Sequence, residues 1–113
     1  MERRRFARIE VSLQLKFKSL AALEDMRDGH VGNLSLGGLF LRTAEVKPTG
    51  TRVHIELPDL NGGVLAITGA VRSVHYDQGK PSGMGIEFDP LSDSAQGVIK
   101  KIVEKSSSGN QRF

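Results

Sequence analysis

Two short fragments of this chain hold the residue types that grip anions and read base edges. The first, Met1-Glu2-Arg3-Arg4-Arg5-Phe6-Ala7-Arg8, sets four arginines against one glutamate and so equals the whole formal charge of +3. Beyond residue 8 the acidic and basic residues cancel. A guanidinium holds phosphate through two parallel N–H bonds, meets the O6/N7 edge of guanine and stacks on rings, which makes arginine a better choice here than lysine. Within this arm Arg4 and Arg8 form an Arg-x-x-x-Arg. The second fragment, Asn33-Leu34-Ser35-Leu36-Gly37-Gly38, is an Asn-x-Ser-x-x-Gly. It supplies an amide, a hydroxyl and two glycines that accept positive φ or a close approach. Taken singly, each has a plainer reading, because charge runs are commonly solvated tails and Asn/Ser/Gly clusters are ordinary turn chemistry.

Other chemistry is missing. His30, His54 and His75 have no metal-ligand spacing and no cysteine to join them, and His54 falls on the polar face of its strand. There is no Gly-x-Ser-x-Gly elbow. Gly79-Lys80-Pro81-Ser82 lacks the upstream glycine of a phosphate loop, and Pro81 removes a donor. Gly83-Met84-Gly85 lacks the third glycine and the following helix of a dinucleotide fingerprint. The carboxylates are scattered over turns and polar faces. No catalytic or metal-binding residue is expected, and the chain reads as a binding module rather than an enzyme.

The elements that must position the two fragments are mostly strands. Ile9, Val11, Leu13, Leu15 and Phe17 alternate with polar residues, which predicts a half-buried strand over 9–17. Residues 18–27 read as a loop or one helical turn. Asp28-Gly29 opens a second strand over 29–35, and Gly37-Gly38 separates it from a third at 39–43. Val53, Ile55 and Leu57 mark a fourth strand that Pro58 ends. After the hairpin signal Asn61-Gly62-Gly63 comes a long strand over 64–76. There the phase of Leu65, Ile67, Gly69 and Val71 is lost at Val74, predicting a bulge near Arg72-Ser73. Gly79-Lys80-Pro81 reads as a turn before a last strand carrying Met84, Ile86 and Phe88. Ala95, Val98, Ile99 and Ile102 then follow helical spacing, with Ser92 or Asp93 as N-cap and an unfavourable Gly97 inside. Six strands and a closing helix predict a mainly β fold, a six-stranded antiparallel β-barrel with a C-terminal helix over one end. The expected organisation is an arm at 1–8, a barrel with its helix at 9–105, and a disordered polar tail at 106–113.

At 113 residues the chain is long enough for one domain with its own core. It has no cysteine, which excludes a disulfide scaffold and thiolate metal sites and fits a cytoplasmic location. No apolar run is long enough to span a membrane, and Phe6 and Ala7 stand among charges rather than in the apolar stretch of a secretory signal. The positive charge is too local for wholesale coating of nucleic acid.

The two fragments together, with Leu39-Phe40-Leu41, Gly69-Ala70-Val71 and Met84-Gly85-Ile86-Glu87-Phe88, resemble the PilZ domain family over residues 3 to 104. The family's signatures are Arg-x-x-x-Arg and Asp/Asn-x-Ser-x-x-Gly at this separation. The resemblance implies a PilZ-type barrel that binds cyclic di-GMP (c-di-GMP), a bacterial second messenger, and no cofactor. It implies that Arg4 and Arg8 hold phosphate and guanine, that Asn33 and Ser35 bond a guanine edge, and that Gly37 and Gly38 let ligand and backbone approach. An arginine before the Arg-x-x-x-Arg accompanies an intercalated ligand pair in the family. Arg3 holds that place, implying two c-di-GMP per protomer. Asn33 lacks the charge of the alternative aspartate and so bonds guanine N–H groups more weakly. The tryptophan that many members carry in the long strand is missing, with Arg72 or Ser73 standing about there. The arm, without apolar periodicity, is expected to order on the ligand and so signal to a protein effector. Two other readings are a nucleic-acid-binding barrel and a degenerate adaptor. Against the first, Phe17, Phe40 and Phe88 sit in strands, leaving few aromatics for a stacking platform. Against the second, every signature position is filled acceptably.

Overall fold

The computed structural model describes residues 9–59 and 61–109, with side chains for 13–59 and 61–105. Six strands and one helix follow in order: β1 Ile9–Ser19, β2 Arg27–Leu34, β3 Gly38–Arg42, β4 Arg52–Pro58, β5 Val64–Asp77, β6 Lys80–Phe88 and α1 Asp93–Gly109. Alternation is what turns these strands into a barrel. Along β4, Val53, Ile55 and Leu57 are fully buried while Arg52, His54 and Glu56 point outward. Every strand needs one face covered, and closing the sheet on itself covers them all. The strands pair in the ring β1-β2-β3-β6-β5-β4, antiparallel throughout. Inside lie Phe17, Leu34, Leu39, Leu41, Ile55, Leu57, Met84 and Ile86.

Helix α1 packs against β1 and brings Ala95, Ile99 and Ile102 to the same core. Ser92 is its N-cap: the Ser92 Oγ accepts from the Ala95 N–H at 3.1 Å and the Ser92 carbonyl from the Gln96 N–H at 2.9 Å. Burying Ile99 and Ile102 is worth about 1.5–3 kcal/mol each, which outweighs the cost of about 1 kcal/mol at Gly97. The helix extends to Gly109, so residues 106–109 are helical rather than part of a disordered tail. Serine costs a formed helix only a fraction of a kilocalorie per residue, and propagation is favoured once the packed turns exist. Gly109 ends it. Residues 110–113, the rest of the expected tail, lie outside the described residues.

The expected bulge in β5 is present, as a register shift between Val71 and Ser73 across from β6. A second shift, between Val31 and Asn33, bends β2 just before its end. Strand β6 begins at Lys80, ahead of the expected start, because the turn is Gln78-Gly79 alone. Both residues have positive φ, 52° and 81°, the signature of a two-residue hairpin. Pro81 is tolerated near the strand's beginning, opposite Tyr76. At the β4–β5 hairpin Asp59 Oδ1 accepts from the Asn61 and Gly63 N–H groups, at 2.8 and 2.9 Å.

Candidate functional site

Residues 35–37 join β2 to β3 and tie themselves off within the loop. The Ser35 N–H donates to the Gly38 carbonyl at 2.9 Å, and the Gly37 N–H donates to Ser35 Oγ at 3.1 Å. The Ser35 hydroxyl in turn donates to the Gly38 carbonyl at 3.4 Å. A further bond, from the Phe88 N–H to the Gly37 carbonyl at 2.9 Å, straps the loop to the end of β6. Ser35 is only 4% exposed, so its hydroxyl serves the turn, and no buried polar side-chain atom among the described residues is left without a partner. Gly38 is required by packing within the sheet. A Cβ there would stand 2.1 Å from the Ile86 carbonyl oxygen, so it is the approach of the β6 backbone that demands glycine. Positive φ occurs instead at Gly50, Gly62 and Gly79.

Asn33 lies in the bulged end of β2, half-buried, opposite Glu10 of β1 and Phe40 of β3. Ile9, the first residue of β1, pairs with Leu34. The start of β1 and the Asn33–Gly38 fragment therefore share one end of the barrel. Arg3, Arg4 and Arg8 lie outside the described residues.

Beside the loop is a depression of about 640 Å³ lined by Leu36, Gly37, Glu87, Phe88, Asp89 and the first residues towards α1. Its two carboxylates are each met by an arginine. Arg52 grips Asp89 with both terminal nitrogens, one at 2.9 Å, and Thr68 Oγ1 donates to the same carboxylate at 2.5 Å. The Arg52 bonds first, then the Thr68 hydroxyl, hold the Asp89 carboxyl below its ordinary range. Glu87 is met by Arg72, whose Nε stands 3.2 Å from Oε1.

On the outer face, Phe40 alternates with the core residues Leu39 and Leu41 and so points away from the interior. Phe17 and Phe88 are core, as their strands required; Phe40 is not. It meets the His75 ring edge-on at a centroid distance of 5.0 Å, and His75 Nε2 is 3.0 Å from Ser73 Oγ. A Cβ at Gly83 would fall 2.5 Å from the Phe40 ring, so the glycine leaves room for it. The period-2 pattern held this information, because two buried leucines flanking a residue force it outward. Among the described residues no group of His, Asp or Glu could hold a metal, and no helix is long and apolar enough to cross a membrane.

Barrel, loop and helix together define a PilZ-type fold. The PilZ domain family matches residues 2–105, and the chain belongs to it. The structure is similar to that of the Bacillus subtilis inhibitor of motility MotI/DgrA (TM-score 0.76, 17% identity), covering 99% of this chain and 55% of that one. It is similar to the PilZ domain of YcgR from Escherichia coli, solved with c-di-GMP (0.75, 19%, 96% and 94%). It is also similar to the K. pneumonia MrkH–c-di-GMP complex (0.74, 17%, 99% and 56%). The chain thus spans about half of MotI/DgrA and MrkH but nearly all of the isolated YcgR domain. At these identities the likeness speaks for the fold. No curated protein matches the chain by sequence.

Proposed function

We propose that this chain is a c-di-GMP receptor whose arginine arm and β2–β3 loop close on the ligand from two sides. The observation that carries the reading is the pairing of Ile9 with Leu34, which starts β1 beside the Asn33–Gly38 fragment. Arg8 is bonded directly to Ile9, and consecutive Cα atoms are about 3.8 Å apart, so the arm is tethered at the loop. In this reading Arg4 and Arg8 take phosphate and guanine edges, while Asn33 bonds a guanine edge. Gly37 and Gly38 form the floor, held in shape by Ser35, whose contribution passes largely through the turn. Two of the similar structures are named as c-di-GMP complexes, which supports the choice of ligand.

Arg3 adds a further cation, and the reading assigns two c-di-GMP molecules to each protomer. Ordering five arm residues costs roughly 5–10 kcal/mol, whereas a micromolar complex nets about −8 kcal/mol. Four phosphates and four guanines offset that cost more fully than one ligand does. The arm, fixed on its ligand, presents a changed surface to a protein effector.

Calorimetric titration with c-di-GMP tests this. Binding should saturate near two equivalents, Arg4→Ala and Arg8→Ala should each weaken it about five- to 150-fold, and Arg3→Ala should move saturation towards one. Saturation of the wild type at a single equivalent removes the paired ligand, and no binding at all removes the receptor. Amides 3 to 8 should exchange more slowly with ligand bound; unchanged exchange removes the arm's part in signalling.

A further inference from the structure

Arg72 is the extra residue of the β5 bulge: Val71 pairs with Ile86 and Ser73 with Gly85, leaving Arg72 without a place in the ladder. Bulges re-aim side chains, and this one turns a guanidinium onto Glu87 of the neighbouring strand. Glu87 is itself the register partner of Gly38 and lines the depression together with Leu36 and Gly37. The guanidinium is therefore held against the side chain of the residue that pairs with Gly38, the last residue of the Asn-x-Ser-x-x-Gly fragment.

The two arginine–carboxylate pairs of this depression differ in kind. Arg52 meets Asp89 bidentately, and a threonine hydroxyl completes the contact. Arg72 meets Glu87 with Nε 3.2 Å from Oε1, and the two side chains are 67% and 60% exposed. So exposed an ion pair is weak and exchanges readily. A guanidinium so placed retains its terminal N–H donors for a bidentate phosphate contact.

We propose that Arg72 is a phosphate-binding residue of the c-di-GMP site, parked on Glu87 until a ligand phosphate displaces the carboxylate. This rests on the receptor reading above. Glu87 acts as an internal competitor: it holds the cation on a carboxylate that itself lines the depression, and its own negative charge must turn away to solvent before a phosphodiester settles. The exchange swaps one anion for another, so Arg72 stays paired throughout. Asp89, locked by Arg52 and Thr68, takes no part.

A double-mutant cycle read by c-di-GMP affinity at fixed salt tests the proposal. Arg72→Ala should weaken binding about tenfold, the size of a partly exposed charge-assisted contact. Arg72→Lys should recover part of it, retaining charge without the fork. Glu87→Gln should tighten binding about two- to fivefold by releasing Arg72, and should give no gain in the Arg72→Ala background. Wild-type binding with an unchanged Arg72→Ala overturns this inference and leaves the receptor reading intact. The inference fails in the same way if Glu87→Gln tightens binding equally without Arg72, since Glu87 is then only a repelling charge. A wild type that binds no c-di-GMP overturns both. All three substitutions are on the exposed face, and matching thermal midpoints would show that the variants remain folded.

Discussion

The two connections that flank β2 solve the same problem in opposite ways. Between β2 and β3, residues 35–37 reverse the chain with Ser35 buried and its hydroxyl bonded on both sides. Between β1 and β2, residues 20–26 wander further and leave Leu23 fully exposed, at 104% of its reference area, with Leu20 exposed beside it. That longer loop hangs on Glu24, whose carboxylate accepts from the Ser19 N–H at 2.9 Å and pairs with Lys47 Nζ at 3.0 Å. A short reversal must satisfy its backbone from within, so it tolerates few residue types. A long one can borrow a single distant cation and leave its tip unconstrained. Only the first kind leaves a motif in the sequence.

The largest expected effect is at Gly38. Its added Cβ meets backbone rather than a yielding side chain, so Gly38→Ala must part β3 from β6. The cost should be about 3 kcal/mol, seen as a fall in Tm of roughly 10 °C or more. An unchanged Tm would show that these strands have slack. Ser35→Ala removes the acceptor for the Gly37 N–H inside a buried turn and should cost about 1–2 kcal/mol by urea denaturation. A neutral result would make the loop as permissive as its neighbour.

Acid should separate the loops next. The Ser19 N–H bond, then Lys47, holds the Glu24 carboxyl below its ordinary value of 4.5. Its folded value being the lower one, the stabilisation is complete above 4.5 and is lost as pH falls through the folded value. The β2–β3 loop, with no ionisable group among residues 35–37, has no such dependence. Hydrogen exchange below about pH 4, corrected for intrinsic rates, should therefore show the Ser19 amide losing protection before that of Gly37. Equal loss would mean the barrel opens as a whole. The smallest effect is at Leu23, where Leu23→Ser should change stability by no more than about 0.5 kcal/mol. A larger loss would reveal a packing role that its exposure denies.

What could be read from the residues follows the same division. Strands β1, β4 and β5 announced themselves because a buried face imprints a period of two, and the β5 bulge because Val74 breaks that phase. The bend in β2 left no such trace: Gly32, within it, has no side chain to show which face it occupies. Gln78-Gly79 was masked by Lys80-Pro81, which imitates a turn while beginning a strand. Ser35 and Gly38 were recognisable as a pair, yet the reason for Gly38 lies in the Ile86 carbonyl, far away along the chain. Arg72 was the least accessible. Its contact with Glu87 depends on the β5–β6 register across a bulge, which no local pattern encodes.

The ring of six strands has one more consequence. Each strand has a hydrogen-bonded neighbour on either side, so none of the six is an edge strand. Where both sides of a strand are paired, the sheet neither templates growth by stacking copies nor captures an extended peptide as a further strand; β1 is paired with β4 only over Lys16–Ser19. Recognition at the doubly paired stretches therefore falls to side chains, and surface substitutions, rather than backbone mimicry, would alter it.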